Sequence, residues 1–486
     1  IRPRVGGGVG RSFPPGAMPP KKGKAVEVEK LSEKVLEERE GLAGGGILEG
    51  LLKLKDVLVN LNPKICYWVL FAFGLLFGSW TTVTLVLLCS FFAVWASYRC
   101  SPRPEGIPLA PPGLDVLLGR TVDVSRHAEG QHANNNVSLC TFKDRYIVAY
   151  RNSDTHWPSG KTKLIVVSSK DMYTWKEEWT YSNGCDLREM LLFELGGQLM
   201  LYYFSLKPAG NAFHPLHVYC TTSPDASTWA APREVCRKGE VPWDIKVRDL
   251  GEGPLAWKAS YVGDHYGAGD MLCLFEKSKD GIKWEPVGKA DSSVVYRGGV
   301  CEVAFEFTAK GDLVAIGRNE DGDDSGFGTQ LFYAKKDDLG TWTKLRVSVP
   351  WRFDSPRMVR SAATGDILLF ARYTANRFQL APKWMQFTYQ KVLNLVLYNV
   401  LPKSAAIYRI APPEEWSGHT GGANVKAVQL VRFFERAFGD TGFFSLAPEL
   451  PPTAGGAGGD CWVVANYAST TCHSHAPWIV GQTSPT

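Results

Sequence analysis

The sequence lacks the residue spacings that hold a metal ion. Its 11 cysteines include no C-x-x-C pair, and none lies in a histidine–cysteine cluster with zinc-ligand spacing. Strong charge is absent too, because the net charge is only +5 and the basic residues are scattered along the chain. These absences argue against a metal site and against a nucleic-acid-binding surface. We therefore expect no metal, no cofactor and no nucleic-acid partner.

Charged side chains are missing altogether from residues 65–98. The run is longer than the roughly 20 residues that cross a bilayer, so it predicts one tilted transmembrane helix. A short re-entrant hairpin that turns at Gly78 is the alternative. Lysines are more frequent before the run than after it. This bias predicts a cytoplasmic N-terminus, with the larger C-terminal part in a lumen or outside the cell.

The charge-free run, together with the composition on either side of it, divides the chain into four segments. Residues 1–64 form a polar tail that we expect to be partly helical or disordered, and residues 65–98 form the membrane segment. Residues 99–119 are rich in proline, which is typical of a stalk. The remaining residues, 120–486, carry the pattern of a folded β domain.

A heptad in which aspartate precedes tryptophan by four residues recurs at nearly even spacing. Its copies are SKDMYTW (169–175), SPDASTW (223–229), SKDGIKW (278–284) and KDDLGTW (336–342). Aspartate suits a tight turn because its side chain accepts backbone N–H bonds, and tryptophan adds apolar area to the next strand. Repeats of this period are typical of solenoids and propellers. The copies resemble the Asp-box, or BNR, repeat of the sialidase-like β-propellers, and the resemblance covers roughly residues 120–486.

A second pattern, a turn followed by an apolar strand, recurs out of phase with the heptads. Its six copies lie at residues 144–151, 197–204, 254–261, 311–318, 365–372 and 459–467. Six such units without a long helix predict an all-β, six-bladed propeller. An insertion near 374–403, rich in leucine and aromatic residues, separates the last two copies. The outer strand of the last blade either comes from Leu117–Val124 or is missing.

Arginine ends several of these strands, at the place where propellers bind ligands. Arg151, Arg318 and Arg372 are the last residues of three copies, and Arg188 lies on the expected first strand of blade two. Each of them could be a solvated charge. A ring of arginines in phase, however, predicts an anionic ligand, because guanidinium groups bind carboxylates through two hydrogen bonds.

Glu302 stands before Arg318 in a stretch that resembles the sialidase pattern. The resemblance implies that Glu302 activates a tyrosine nucleophile while arginines hold the carboxylate of the sugar. The sequence departs from that family where an Arg-Ile-Pro motif is expected, and it has Phe443 where the tyrosine is expected. Asp154 or His156 as general acid, with Glu302 as base, is the remaining catalytic arrangement.

Two further residues are candidates for the ligand site. Trp243 offers a face on which a sugar could stack, and Asp244 follows it on the expected inner strand of blade three. Two functions are consistent with these residues. One is a membrane-anchored, sialidase-like glycoside hydrolase that acts on an acidic glycan. The other is a propeller that binds a carbohydrate or a protein partner without catalysis.

Overall fold

The computed structural model describes sixteen segments of the chain. They are residues 115–117, 122–123, 133–155, 158–171, 174–206, 217–263, 270–288, 292–323, 326–345, 351–361, 365–375, 404–410, 428–433, 442–448, 462–471 and 474–484. The predicted tail and membrane segment lie outside these residues, as do most of the stalk, most of the insertion and His156. Within the described segments, no helix has the length and apolar character to cross a membrane.

The described strands form five sheets around a common centre, as in a propeller. Sheet 1 contains β1 (Asp115–Leu117), β2 (Val122–Asp123), β3 (Ala133–Phe142), β4 (Arg145–Ser153), β5 (Lys163–Ser169), β6 (Lys176–Tyr181), β24 (Ser445–Pro448), β25 (Trp462–Thr471) and β26 (Ser474–Ser484). Sheet 2 contains β7 (Asp186–Leu195), β8 (Gln198–Leu206), β9 (His217–Ser223) and β10 (Arg233–Val235).

The other three sheets follow in chain order. Sheet 3 contains β11 (Val241–Asp249), β12 (Pro254–Val262), β13 (Met271–Ser278), β14 (Glu285–Pro286) and β15 (Val294–Gly298). Sheet 4 contains β16 (Val300–Phe307), β17 (Leu313–Asp323), β18 (Gly326–Ala334) and β19 (Thr343–Leu345), and a 3-10 turn, Lys336–Asp338, precedes β19. Sheet 5 contains β20 (Trp351–Arg360), β21 (Ile367–Ala375), β22 (Ser404–Ile410) and β23 (Val428–Phe433).

The predicted all-β propeller is confirmed, but the predicted count of six blades is wrong, because the described strands form five sheets. The C-terminal strands do not make a separate sheet, since β26 pairs in parallel with β3 at His475 and Ala133. The sequence reading also missed β26, whose Pro477 and Gly481 weaken a strand pattern. Strands β1 and β2 both pair with β26, which agrees with the alternative of an N-terminal strand that closes the ring.

Each sheet packs its face on the face of the next one. The apolar clusters join Ile147 and Leu164 to Leu201 (sheets 1 and 2), Tyr202 to Ala256 (sheets 2 and 3), Phe275 to Phe305 (sheets 3 and 4), and Ile316 to Phe353 (sheets 4 and 5). A strand between two such neighbours is covered on both faces, so β16 is buried at every residue. This is why the repeated strands are continuously apolar instead of alternating.

The aspartate heptads form turns between the third and fourth strands of the sheets. In sheet 2, Asp225 Oδ1 accepts the backbone N–H groups of Ser227 and Thr228, at 2.8 and 2.7 Å. In sheet 3, Asp280 Oδ1 accepts those of Ile282 and Lys283, both at 2.8 Å. These aspartates therefore stabilise local turns on the outer side of the sheets and do not contribute to a ligand site.

Candidate functional site

In each of the five sheets, one strand next to the axis is interrupted by a β-bulge at the same level. These strands are β3, β7, β11, β16 and β20. The register breaks lie between Asn135 and Ser138, Arg188 and Leu191, Pro242 and Asp244, Val300 and Val303, and Asp354 and Arg357. A bulge re-aims a side chain, and bulges are common beside active sites. Those five bulges contain Asn136, Glu189, Trp243, Glu302 and Ser355.

Three of the bulged residues have a left-handed backbone although none of them is glycine. The φ angles are 51° at Asn136, 49° at Glu189 and 51° at Ser355. This conformation is rare for residues with a side chain, and such strained positions cluster at functional sites. The strain repeats on three innermost strands, which indicates that the centre of the propeller is the place to look for a site.

The bulged residues meet at the axis of the ring. Asn136 Nδ2 donates to Glu189 Oε1 at 2.9 Å, which joins sheets 1 and 2. Arg357 Nη1 donates to the carbonyl oxygen of Trp243 at 2.7 Å, although sheets 5 and 3 are not neighbours in the ring. The ring of Phe443, just before β24, packs edge-on against Trp243 at 5.7 Å. We call Asn136, Glu189, Trp243, Glu302, Arg357 and Phe443 the axial cluster.

The structure brings the predicted pair of Glu302 and Arg318 together. Arg318 Nη1 donates to Glu302 Oε1 at 2.7 Å, and the backbone N–H of Ser355 donates to Glu302 Oε2 at 2.6 Å. Two further carboxylates contact Arg318, namely Glu320 at 2.5 Å and Asp354 at 2.7 Å. Both oxygens of Glu302 are thus oriented by donors from two different sheets.

Sequence reasoning missed Glu189, although it singled out Arg188 beside it. Burial and the negative charge of Glu302 raise the pKa of Glu189 to about 7, against the opposing effects of Arg188, Arg357 and the hydrogen bond from Asn136. Its Oε2 atom is buried and accepts no hydrogen bond among the described residues. A carboxyl with such a pKa is a candidate proton donor at neutral pH.

The signal that could have revealed Glu189 is its position in the repeat. Glu189 and Glu302 both lie in the bulge of the innermost strand of a sheet, Glu189 in sheet 2 and Glu302 in sheet 4. Tyr261 was missed for a similar reason. It occupies the position at which other copies of the apolar strand end in arginine. Burial, together with neighbouring charges that include Glu302 and Glu189, raises the pKa of Tyr261 well above 10, so the phenol stays protonated and is able to donate a hydrogen bond.

Arg151 and Arg188 form a second group around a single carboxylate. Arg151 donates to Asp186 Oδ1 from Nε and Nη2, at 2.9 and 2.7 Å, while Arg188 donates to Asp186 Oδ2. Arg151 is fully buried. The structure therefore places these two predicted ligand residues next to each other, each with an internal partner.

Asp154 lies near this group but does not have the properties of a general acid. It forms an ion pair with Lys161 at 3.2 Å. Burial acts to raise the pKa of Asp154, but hydrogen bonds from Ser159 and Lys161 outweigh it and hold this pKa below its usual value. Such a carboxyl is ionised at neutral pH and has no proton to donate. His156, the other predicted acid, lies outside the described residues.

The remaining predicted site residues, Trp243, Asp244 and Arg372, are buried. Trp243 is only 2% exposed, and the guanidinium of Arg357 lies over its ring at 4.5 Å, a geometry that does not favour stacking of a sugar there. Asp244 Oδ2 accepts the backbone N–H of Phe305 at 3.2 Å. Arg372 is 2% exposed and lies opposite Asp354 in the register of β20 and β21.

Comparison with known proteins supports the fold. No protein-family model matches the sequence, and no curated protein matches it. A solved structure of a protein of unknown function from Dyadobacter fermentans is similar, with a TM-score of 0.50 and 16% identity over 77% of this chain and 100% of that chain.

Two enzymes also align with the chain at lower similarity. The sialidase of Trypanosoma rangeli gives a TM-score of 0.48 and 13% identity over 76% of this chain, which spans 60% of the sialidase. A family 117 glycoside hydrolase from Zobellia galactanivorans gives a TM-score of 0.37 and 13% identity over 55% of this chain and 86% of that one.

Proposed function

We propose that the chain is a glycoside hydrolase whose reaction takes place at the axial cluster. The pKa of Glu189 carries the proposal, because a carboxyl that is half protonated near pH 7 stands close to a second carboxylate, Glu302. Most glycosidases use such a pair, in which one member has a raised pKa and protonates the leaving oxygen. The proposal therefore replaces Asp154 with Glu189 as the general acid.

In this proposal the two glutamates have separate tasks. Glu189 donates its proton to the glycosidic oxygen as the bond to the leaving group breaks. Glu302, held by Arg318 and by the backbone of Ser355, supplies the negative charge that stabilises the developing oxocarbenium ion or activates water. The hydroxyl of Tyr261 stays protonated at neutral pH, so in this proposal Tyr261 is a hydrogen-bond donor to the sugar.

A non-catalytic, ligand-binding propeller is the second candidate function, and one observation favours it. Phe443 occupies the place of the expected tyrosine nucleophile and packs against Trp243 and Arg357. A phenylalanine has no hydroxyl to attack an anomeric carbon, so the tyrosine route of the sialidases has no nucleophile at this position.

Replacement of Glu302 tests the hydrolase against the binding protein. In the full chain, we expect Glu302→Gln to lower kcat/KM on an aryl glycoside by roughly 10²–10⁴-fold, because the neutral amide cannot stabilise positive charge or accept a proton. Glu285→Gln is the matched control, since this carboxylate is exposed on β14. Sugar binding without turnover in the unmodified chain would favour the binding protein, and equal activity of the two variants would remove Glu302 from the mechanism.

We also propose that residues 65–98 anchor the chain in a membrane with the propeller on the lumenal or extracellular side. The proposal rests on the charge-free run and on the excess of lysines that precede it. In sealed vesicles that contain the full chain, added protease should leave the propeller intact until detergent is present. Digestion of the propeller without detergent would contradict this orientation.

A further inference from the structure

We infer that the axial cluster takes an uncharged sugar, and not the carboxylate-bearing sugar that the arginine pattern of the sequence predicts. The inference rests on the proposed function, since it concerns the ligand of the same site. Its basis is the charge and hydrogen bonding of the side chains around the axis, where Arg151, Arg188 and Arg318 are paired with acidic side chains of the chain itself.

Arg318 is the arginine in contact with Glu302, and three acidic side chains surround its guanidinium. Nη1, Nη2 and Nε face Glu302, Glu320 and Asp354 at 2.7, 2.5 and 2.7 Å. Recognition of a ligand carboxylate by arginine needs two parallel N–H groups that point at the ligand. A carboxylate ligand could bind Arg318 only by displacing a covalently tethered carboxylate of the protein.

Arg151 and Arg188 are engaged in the same manner. Asp186 has one oxygen on Arg151 and the other on Arg188. Arg151 Nη1 donates instead to the carbonyl oxygen of Thr155 at 2.9 Å, and the whole side chain is inaccessible to solvent. These two arginines of the predicted ring therefore bind a carboxylate of the protein itself, that of Asp186.

Arg357 was not among the arginines that the sequence predicted to bind a ligand. It too has partners within the protein. Its guanidinium stacks over Trp243 at 4.5 Å and lies 5.6 Å from the centre of the Phe443 ring. Its Nη1 donates to the carbonyl oxygen of Trp243 at 2.7 Å. Arg357 is therefore engaged by an internal carbonyl oxygen and by two aromatic rings.

The axis offers a ligand the amide oxygen of Asn136 and the carboxyl group of Glu189. Glu189 Oε2 and Asn136 Oδ1 are both buried without a hydrogen-bond donor among the described residues, and Asn136 is only 6% exposed. An ionised carboxylate accepts hydrogen bonds but donates none, so it leaves Asn136 Oδ1 unsatisfied and adds a like charge beside Glu302. A sugar hydroxyl carries no charge, donates to Asn136 Oδ1, and accepts the proton of Glu189 or donates to its ionised form.

Matched pairs of aryl glycosides test the inference on the full chain. A galactoside differs from a galacturonide, and a glucoside from a glucuronide, only by a hydroxymethyl group in place of the carboxylate at C6. An aryl sialoside completes the panel, and binding of free galactose and galacturonic acid is measured by saturation-transfer NMR. We expect at least a tenfold higher kcat/KM, or tenfold tighter binding, for the neutral member of a pair at pH 6.

Each outcome separates the inference from the proposed hydrolase. Turnover of neutral glycosides supports both. Equal or better turnover of a uronide or of the sialoside overturns the uncharged ligand and leaves the hydrolase in place. Binding of the neutral sugar without turnover supports the uncharged ligand and overturns the hydrolase. If no sugar of the panel binds or reacts, both are overturned.

Discussion

Glu189→Gln should abolish turnover and at the same time stabilise the folded chain at alkaline pH. Gln has no acidic proton, so we expect a loss in kcat/KM of roughly 10²–10⁴-fold. In the unmodified chain, activity should fall as the pH rises through about 7, the pKa to which burial and Glu302 raise this carboxyl.

The stability effect follows from the same pKa with a definite sign. The pKa of Glu189 rises from 4.5 to about 7 on folding, so below pH 4.5 both the folded and unfolded states hold the proton. Between these values only the folded state keeps it, and stability falls as the pH rises until the folded carboxyl ionises. The free energy of unfolding of the unmodified chain should therefore fall between pH 5 and pH 8 by about 2 kcal/mol more than that of Glu189→Gln.

Chemical denaturation at the two pH values measures this difference, and any constant cost of the amide cancels. Glu194→Gln is the control, because Glu194 lies exposed on the same strand, β7, and should leave the pH dependence unchanged. A parallel pH dependence in all three chains would show that Glu189 titrates in its ordinary range, and the assignment of the general acid would fall with it.

Lys258→Met should give the largest loss of stability among the substitutions considered. Lys258 is fully buried in sheet 3, where its Nζ lies 2.5 Å from Glu240 and 2.9 Å from Glu276. Burial acts to raise the pKa of Glu276, but Lys258 and Arg237 outweigh it and hold this pKa well below its usual value. Methionine fills the space but leaves the two buried carboxylates with Arg237 as their one cationic partner among the described residues. Breaking such a buried ion pair costs about 3–5 kcal/mol.

Lys277→Met is the matched control, because this lysine pairs with Glu252 at 3.1 Å on the surface, with the two side chains 28% and 65% exposed. Surface ion pairs contribute about 0–1 kcal/mol, so the control should unfold nearly as the unmodified chain does. Denaturation by urea at pH 7 compares the two. Similar losses in both variants would mean that the buried charges are hydrated and that the ion pairs do not explain stability in sheet 3.

Glu302 and Arg318 illustrate how far the sequence predicts the site. They lie on adjacent strands of one blade unit, joined by a tight turn at Lys310 and Gly311, so short-range pairing brings them together. Their predicted proximity therefore needs no knowledge of the remaining chain. The acids that also hold Arg318 include Asp354, which lies on sheet 5 and could not be predicted from the same repeat.

The blade count shows a different limit. The apolar strand copies repeat six times, but whether two copies form separate sheets depends on the pairing of β26 with β3, over a sequence separation of most of the domain. Such long-range pairing is decided by how the ring closes and not by the pattern of either strand. Period and turn chemistry describe single units, whereas the number of sheets is a property of their assembly.

The sequence by itself determined the all-β repeat, the turns at the aspartate heptads and the phase in which arginines end the strands, because each depends on residues close together in the chain. Only the tertiary structure decided what those arginines do. Asp186 reaches Arg151 from sheet 2 and Asp354 reaches Arg318 from sheet 5. With Glu320, on the same strand as Arg318, they match the arginine charges before any ligand arrives. The pKa of Glu189 was likewise decided by burial at the axis and by the charge of Glu302 from another sheet. Electrostatics depends on distance in space, and the sequence contains only distance along the chain.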